Sequence, residues 1–546
     1  MPDTSNRRVP LAFWFLAGAL FPVMVYSSFS FGATWDEKVQ HEYGELVYRY
    51  FASGFTDRSA LSFKDLYLYG GLFDWLCVVA TKLSAADPSV LRHLVNSVFG
   101  WIGVLYTGRL ATLLFGSRAG LIAMILLAAS PRYFGDAMNN PKDIPFAAMA
   151  VIATYYLARA DGRYPYFTWK TATKVAIAIA LTINMRAGGI LFLCYLAAQL
   201  LFFIIKERDF DPRHLAATGG RFAAIALASL VFGTLFWPWG QQQPLVRPFQ
   251  ALSALTNFRW PGSVLYAGRY LPATSLPWNY GLTLLWLTTP PVVLAGLALS
   301  FGQLRKGAAA AMRAGACWFL VLFPVGYVIL RHSTLYDGVR HLLFVYPLMV
   351  VIAAAGWSVA IGRGAWRRAA VALLLAIGLV EPLWFQWQNA PNQIVYFNLF
   401  AGGPNGAMGR YDLDYWGSSM LPAVEVASRM ASGASGPLLV SSGEPNDVAQ
   451  IDLRRFGNLV YSPLSDGNAH LHIELLRGNA DHLRAILRIP ALATIRTADG
   501  APLCVIQPGP RYGELQVLPP AGPVQVRYNS RLPMAPVAQA DRAPAF

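Results

Sequence analysis

Two carboxylates stand side by side in the stretch Thr34-Trp35-Asp36-Glu37, directly after the first long apolar run. Placing charged groups at the end of a membrane helix costs free energy unless the groups are solvated, paired or used in chemistry. One interpretation is structural: Thr34 or Asp36 caps a short interfacial helix, and Glu37 is solvated in its first turn. The other is chemical: a carboxylate at the membrane surface acts as a general base on an acceptor hydroxyl. These four residues leave both interpretations open.

A second polar cluster occupies residues 130–145 (SPRYFGDAMNNPKDIP), between two apolar runs. Prolines on both sides of Lys142-Asp143 hold the backbone extended and stop the preceding helix. A rigid turn in which Asp143 caps the next helix would explain the prolines. The polar groups exceed what a turn requires, so we predict a substrate cavity lined by Asn139 and Asn140. Asp143 then points into the same cavity, and Lys142 provides a point charge for a phosphate.

A third cluster, residues 336–341 (YDGVRH), precedes a late apolar run. The ordinary explanation for Arg340 at such a position is a side chain that reaches from the helix end to the membrane interface. The alternative is an anion pocket, in which Arg340 and His341 contact the anion. Tyr336 and Asp337 would then line the substrate cavity.

The composition excludes a soluble enzyme, since 55% of the 546 residues are hydrophobic and only 13% are charged. The formal charge of +15 lies mostly in short Lys and Arg clusters between apolar runs, as in cytoplasmic loops, and forms no groove for nucleic acid. Four distant cysteines predict neither a disulfide framework nor a thiolate metal site.

No cofactor is predicted from the sequence. It contains no P-loop and no dinucleotide-binding motif, and no His, Cys and carboxylate set has metal-ligand spacing. Asp412-Leu413-Asp414 is interpreted as a solvated turn, although a divalent cation stays open as an alternative.

Eleven apolar runs predict membrane-spanning helices. The basic loops between them fall on one side, which the positive-inside rule makes cytoplasmic, so the chain after residue 387 is predicted to lie outside. The segment 66–83 carries Asp74 and a Gly pair, which favours a helix in the membrane interface over a twelfth span. The runs lie near residues 11–31, 92–115, 119–133, 144–160, 173–187, 189–205, 221–238, 279–302, 314–331, 340–360 and 370–386.

This topology brings all three polar clusters to the outer face. It also places Arg186, Arg259 and Arg269 there, where the orientation rule predicts little positive charge. An anionic lipid phosphate explains the surplus economically. The predicted donor-phosphate-binding residues are Lys142, Arg186, Arg259, Arg269, Arg340 and His341.

Three regions follow from the change in composition along the chain. Residues 1–388 form the transmembrane domain, with a first outer loop over 32–91. Residues 389–520 are predicted to form a small extracytoplasmic α/β domain, with a strand at 437–440 and helices at 420–430 and 469–476. The Pro- and Ala-rich end, residues 521–546, is predicted to be disordered.

Together these features resemble the membrane glycosyltransferases of the C superfold. The resemblance rests on the acidic pair after the first span, the long first outer loop, and the terminal outer domain. It also rests on Arg340-His341-Leu342-Leu343, which opens a late span and is followed by Pro347. More narrowly, the chain resembles the protein O-mannosyltransferases and lipid A aminoarabinose transferases. The stretch Asn139-Asn140-Pro141-Lys142-Asp143 resembles a signature of bacterial members.

The resemblance implies inverting transfer of a sugar from a polyprenyl-phosphate donor, on the outer face of the bacterial inner membrane. The acceptor is a hydroxyl or phosphate of a glycan, lipid or protein, although no large lectin-like domain interrupts the late spans, which argues against a protein. Asp36 would be the base, Glu37 would orient it, and Asp143 would be a second loop acid. Stabilisation of the negative charge on the departing phosphate should supply most of the rate enhancement.

A transporter or flippase for a lipid-linked anion is the alternative function, since it would also need outward arginines and buried carboxylates. Transporters place such groups near the bilayer midplane, on broken helices and often in inverted repeats. Here the groups cluster at one face and no obvious repeat is present. A scaffold that merely anchors the outer domain does not account for eleven spans. We therefore favour the glycosyltransferase.

Overall fold

The structure is a computed structural model that describes residues 9–160, 168–362, 364–515 and 524–527. The predicted disordered end lies almost wholly outside the described residues. The described chain forms two compact units. The helical unit comprises residues up to Phe29, Lys38–Gly262 and Ala273–Pro382, and the C-terminal unit comprises Ser30–Glu37, Ser263–Pro272 and the chain from Leu383 onward. The domain boundary at residue 389 stays a prediction.

The helices up to Asn389 are α1 Leu11–Ser28, α2 Glu37–Ala52, α3 Leu72–Lys82, α4 Pro88–Phe115, α5 Ser117–Ala128, α6 Pro131–Asn139, α7 Asp143–Ala160, α8 Trp169–Met185, α9 Leu191–Glu207, α10 Pro212–Gly233, α11 Pro238–Gln241, α12 Arg247–Thr256, α13 Tyr280–Thr288, α14 Pro291–Leu299, α15 Ala308–Leu330, α16 Tyr346–Ile361 and α17 Ala365–Asn389. A 3₁₀ turn, Arg340–Val345, leads into α16.

Seven helical stretches in the described chain are long and apolar enough to cross a membrane, or nine if the bent pairs α5–α6 and α13–α14 each form one span. The predicted count of eleven is therefore too high by this measure. The two remaining predicted runs are helices, α7 and α8, but α7 has Asp143 and Arg159 at its ends and α8 has only 17 residues. The chain is nevertheless a multi-pass membrane protein.

Burial separates the central helices from those that face lipid. In the stretch Arg340–Ile361, which contains α16, 83% of the most apolar window is buried, whereas the corresponding value for α17 is 6%. Close packing of α14 against α16 requires glycine, since a Cβ on Gly356 would lie 2.0 Å from the Gly296 carbonyl oxygen. The helix α3, with 11 residues, is too short to span, which agrees with the interfacial prediction for 66–83.

The C-terminal unit contains a six-stranded sheet of order β4-β3-β5-β7-β6-β8. Strand β3 pairs in parallel with β4 and β5, β7 is antiparallel to β5 and β6, and β6 pairs in parallel with β8. A hairpin, β1 Ser263–Tyr266 with β2 Arg269–Pro272, belongs to the same unit. The other elements are β3 Leu438–Ser442, β4 Leu459–Tyr461, β5 Leu471–Leu475, β6 Ala493–Arg496, β7 Pro502–Pro508, β8 Val524–Arg527, α18 Gly403–Ala407, α19 Met420–Met430, α20 Asn446–Leu453 and α21 Ala480–Leu487.

The core of this unit lies between the sheet and the helices α19 and α20, through residues such as Val424, Val448, Leu471 and Ile473. The α/β class predicted for this region is confirmed. The helix predicted over 469–476 is wrong, because this run is strand β5. Its apolar residues alternate with polar ones, and that period of two puts all three apolar side chains on one face of the sheet.

Asp412 and Asp414 are structural, but the predicted solvated turn is wrong because both carboxylates are engaged by protein groups. Asp412 accepts from the Leu265 amide at 3.2 Å and from the Arg477 guanidinium at 3.1 Å. Asp414 is 1% exposed and accepts from the amides of Ser418 and Ser419, at 2.7 and 2.8 Å, just before α19. These bonds fix the loop that leads into α19.

Candidate functional site

The acidic pair lies in a tight turn before α2. The amide and hydroxyl of Thr34 both donate to Glu37 Oε1 at 3.1 Å, and the Glu37 amide donates back to the Thr34 carbonyl at 3.0 Å. The bond from the Thr34 amide to the Glu37 carboxylate is one half of a capping box, T-x-x-E, whereas the Glu37 amide bonds the Thr34 backbone carbonyl and not its hydroxyl. Glu37 is 3% exposed, so the interpretation of a solvated Glu37 is wrong. Asp36 is only half-buried, which leaves it the more accessible carboxylate.

Asp143 opens α7 and is almost fully buried, at 2% exposure. Its Oδ1 is paired with the Arg186 guanidinium, and its Oδ2 lies 3.5 Å from Arg340 Nε. Two arginines from distant parts of the sequence thus converge on one carboxylate. Arg340 also donates to Asp337 Oδ2 at 3.2 Å. We call Asp143, Arg186, Arg340 and Asp337 the arginine–carboxylate cluster.

Asn140 holds the Asp143 carboxylate in place. Its Nδ2 lies 2.9 Å from Asp136 Oδ1 and 3.2 Å from Asp143 Oδ2, and its Oδ1 accepts from the Asp143 amide at 3.1 Å. Asn139, the last residue of α6, is 3% exposed. Both asparagines are therefore buried, and Asn140 orients the Asp143 carboxylate.

Lys142 lies beside the cluster, on the ring of Tyr69. The Lys142 ammonium is 5.1 Å from the Tyr69 ring centre, and the Arg186 guanidinium is 5.6 Å from the same ring. A tyrosine ring attracts cations through its negative face, so Tyr69 keeps the two positive groups close together. Lys142 and Tyr69 line a small pocket together with Tyr43 and Asp74.

Tyr336 and His341 lie beside Arg340 of the cluster. The Arg340 guanidinium lies 5.4 Å from the Tyr336 ring centre, and the rings of Tyr336 and His341 are 4.6 Å apart. The structure therefore brings Lys142, Arg186, Arg340 and His341 into one region of the helical unit. Arg259 is exposed, and Arg269 is an exposed residue of β2 in the C-terminal unit. Asp36 and Glu37 also belong to the C-terminal unit.

A second buried ion pair was missed from the sequence. Arg92 of α4 donates to Asp74 of α3 at 2.7 Å and to Gln40 of α2 at 3.2 Å, and the Arg92 side chain is 2% exposed. Asp74 in an otherwise apolar segment was the available signal, because a carboxylate there needs a partner. The pair ties together three helices of the helical unit, and Asp74 lines the Lys142 pocket.

The site contains two positively charged side chains, Arg186 and Arg340. The buried carboxylate of Asp143 holds both of them in place. Within the described residues, no group of three or more His, Cys, Asp and Glu side chains has an arrangement that could hold a metal ion. The two arginines and two carboxylates of the cluster balance one another, and Lys142 beside them leaves one net positive charge. Guanidinium and ammonium groups in partly desolvated surroundings are the usual partners of phosphate.

Charge and fold together define a membrane protein with a positively charged polar site at the ends of its helices. Residues 71–237 match the family model described as dolichyl-phosphate-mannose-protein mannosyltransferase. The predicted resemblance to this branch of membrane glycosyltransferases is confirmed by the match. The matched segment contains Lys142, Asp143 and Arg186, whereas Asp36 and Arg340 lie outside it. A comparison with curated proteins gave no match.

Among solved structures, the chain is similar to ArnT from Cupriavidus metallidurans. With the form bound to undecaprenyl phosphate it shares 16% identity, at a TM-score of 0.48 over 91% of this chain and 98% of that chain. With the apo form the identity is 15% and the TM-score 0.49, over the same shares of the two chains. It is also similar to the apo oligosaccharyltransferase of Archaeoglobus fulgidus, with 12% identity and a TM-score of 0.46 over 84% of this chain and 69% of that chain.

Proposed function

We propose that this chain is an inverting glycosyltransferase that moves a sugar from a polyprenyl-phosphate donor to an acceptor hydroxyl or phosphate. The observation that carries the proposal is the convergence of Arg186 and Arg340 on the buried Asp143, with Lys142 alongside. The family match over residues 71–237 supports it, because that family is described by a lipid-phosphate sugar donor. We place the reaction on the outer face of a bacterial inner membrane, with the C-terminal unit outside.

In this proposal the cations act on the leaving group. When the bond between the anomeric carbon and the phosphate oxygen breaks, its electron pair stays on that oxygen and the phosphate gains negative charge. Lys142, Arg186 and Arg340 stabilise that charge as it develops, which lowers the barrier because the interaction is stronger in the transition state than in the bound donor. Asp143 keeps the two arginines oriented before the donor binds.

Asp36 is the proposed base. Its carboxylate takes the proton of the acceptor hydroxyl while the acceptor oxygen forms the new bond to the anomeric carbon, on the face opposite the departing phosphate. The configuration at that carbon is therefore inverted. Glu37 keeps its capping bonds to Thr34 and orients the turn, whereas the half-buried Asp36 is accessible to an acceptor.

The test is release of polyprenyl phosphate by the purified full chain from synthetic polyprenyl-phosphate mannose and polyprenyl-phosphate aminoarabinose, with an envelope lipid and glycan extract as acceptor source. Asp36→Asn should lower turnover by at least about 100-fold, as expected for loss of a general base, with little change in the donor KM. Arg340→Ala should instead raise the donor KM. Full turnover by Asp36→Asn would remove Asp36 from the mechanism. Movement of intact donor across vesicles without bond cleavage would favour a flippase.

A further inference from the structure

The loop before Asp36 is folded into the core of the C-terminal unit. Phe31, Ala33 and Thr34 are each at most 2% exposed, and Ala33 belongs to the apolar cluster formed with α19 and α20. Because this loop belongs to the same compact unit as residues more than 350 positions later in the chain, its conformation depends on that unit. The end of α1, at Ser28, is only a few residues away.

Two charged side chains of α20 and its end hold the loop by its backbone. Asp452 Oδ1 accepts from the Ala33 amide at 3.0 Å, and Arg455 Nη1 donates to the Phe31 carbonyl at 3.2 Å. Asp452 is fully buried and lies 3.7 Å from Arg455 Nη2, so the two groups also pair with each other. Hydrogen bonds to charged groups are stronger than neutral ones, by roughly a factor of two.

Gly32, between the two bonded residues, shows how closely the loop lies on α20. A Cβ at this position would be 2.7 Å from Asp452 Oδ2 and 2.7 Å from Leu421 Cβ. Real Cβ atoms do not approach that closely, so any other residue must displace the loop or the helix. The sequence alone gives no sign of this restriction, because Gly32 stands in the ordinary stretch Phe31-Gly32-Ala33.

We infer that Asp452 and Arg455 are positioning residues for Asp36, and that the C-terminal unit is thereby part of the catalytic apparatus. Asp36 lies three residues after Ala33, which α20 holds, and one residue before Glu37, whose carboxylate is bonded to Thr34. The turn is therefore fixed on both sides of Asp36. This inference rests on the proposed role of Asp36 as base. It assigns a function to the chain after residue 389, which the predicted mechanism otherwise leaves unused.

The expected consequence is an effect on turnover that exceeds any effect on binding. A displacement of about 1 Å in a catalytic group can cost about 100-fold in rate. Asp452→Ala removes both the acceptor for the Ala33 amide and the partner of Arg455, so it should lower kcat by about 10- to 100-fold and leave the donor KM within about twofold. Asp452→Asn keeps an oxygen that can accept from Ala33 and should recover most of kcat.

The chain offers a matched control in the same unit. Asp481 and Arg484 of α21 form the same i,i+3 pair at 2.8 Å, but their side chains are 85% and 72% exposed. Asp481→Ala should leave kcat and KM unchanged, because an exposed ion pair contributes little. Gly32→Ala perturbs the contact between the loop and Asp452 from the other partner, because the added Cβ would be too close to Asp452 Oδ2. It should therefore lower kcat as Asp452→Ala does.

Hydrogen exchange measured by mass spectrometry on the full chain supplies a readout that needs no donor. Peptides covering residues 31–36 should exchange faster in Asp452→Ala than in the parent and in Asp481→Ala, while peptides of β5 and β7 stay protected. Faster exchange with unchanged kcat would overturn the positioning role and leave Asp36 as base untouched. Unchanged exchange in this loop would overturn the inference whatever the activity. If no variant or parent turns over either donor, the proposed function fails, and the exchange result still decides whether α20 holds the loop.

Discussion

Replacing Asp143 with Asn gives a sharp test of the arginine–carboxylate cluster. The substitution keeps the shape of the side chain and an oxygen that can accept a hydrogen bond, but it removes the one carboxylate that Arg186 and Arg340 share. We expect the protein to lose stability and turnover. Its affinity for a lipid phosphate, however, should be retained or increased, because the cluster gains net positive charge.

The size of the stability effect follows from burial. Removing one partner of a buried ion pair costs about 3–5 kcal/mol. Here the lower end applies, since the Arg186 side chain is 20% exposed and Arg340 keeps Asp337 at 3.2 Å. We therefore expect the free energy of unfolding to fall by about 3 kcal/mol. Bound phosphate should restore part of this loss, because an anion at 100 times its Kd stabilises a protein by about 2.7 kcal/mol.

The assay is unfolding of the detergent-solubilised chain, with and without undecaprenyl phosphate. Asp143→Asn should unfold more easily than the parent and should gain more stability from the lipid. Glu42→Gln is the control, because Glu42 forms an exposed pair with Lys64 at 3.7 Å and should change stability by less than about 1 kcal/mol. An Asp143→Asn variant as stable as this control, or one that gains no more from the lipid than the parent does, would refute the assignment of Asp143 as the counter-charge of the arginines.

Two further predictions concern stability. Arg92→Leu should lower the free energy of unfolding by about 3–5 kcal/mol because it removes the guanidinium that pairs with the buried Asp74 carboxylate. A double substitution of Arg92 and Asp74 by apolar residues should recover most of this, as a denaturant titration of all three variants would show. His470 Nδ1 accepts from the Leu439 amide at 3.0 Å, and burial, then Arg511, lowers the pKa of this half-buried histidine. The unfolded chain therefore binds the proton first, so His470 should make stability fall as the pH drops below about 6.5. His470→Gln should flatten that part of the stability profile; an unchanged profile would contradict it.

Much of the helical unit could be predicted because long apolar runs have few alternatives. Every predicted run is helical over most of its length, and the interfacial segment containing Asp74 proved too short to span. The length of an apolar run does not show whether the helix that it forms is bent. The helices α5 and α6 meet at 67°, and α13 and α14 at 109°, so a continuous run in the sequence becomes two short helices.

The charged site residues could be identified from the sequence, but the identity of their ion-pair partners depends on the fold. Lys142, Asp143 and Arg340 were singled out because polar groups at membrane helix ends need a reason. That Asp143 pairs with both Arg186 and Arg340 could not be read from the sequence, since the three residues come from α7, the turn after α8 and the turn before α16. The interpretation of a solvated Glu37 proved wrong, because the residue types around Glu37 do not show how deeply its carboxylate is buried.

The contact between Ala33 and Asp452 changes how the C-terminal unit should be understood. A compositional shift near residue 389 suggests an appended domain, yet the compact unit includes Ser30–Glu37 and the hairpin Ser263–Pro272. Removing the chain from Leu383 onward would deprive the Ala33 amide and the Phe31 carbonyl of their charged partners, and an unpaired buried polar group costs about 1–3 kcal/mol. The turn that carries Asp36 would then lose one of the two sets of bonds that fix it. The C-terminal unit therefore contributes to the conformation of the turn that carries Asp36, the residue that we assign as the base.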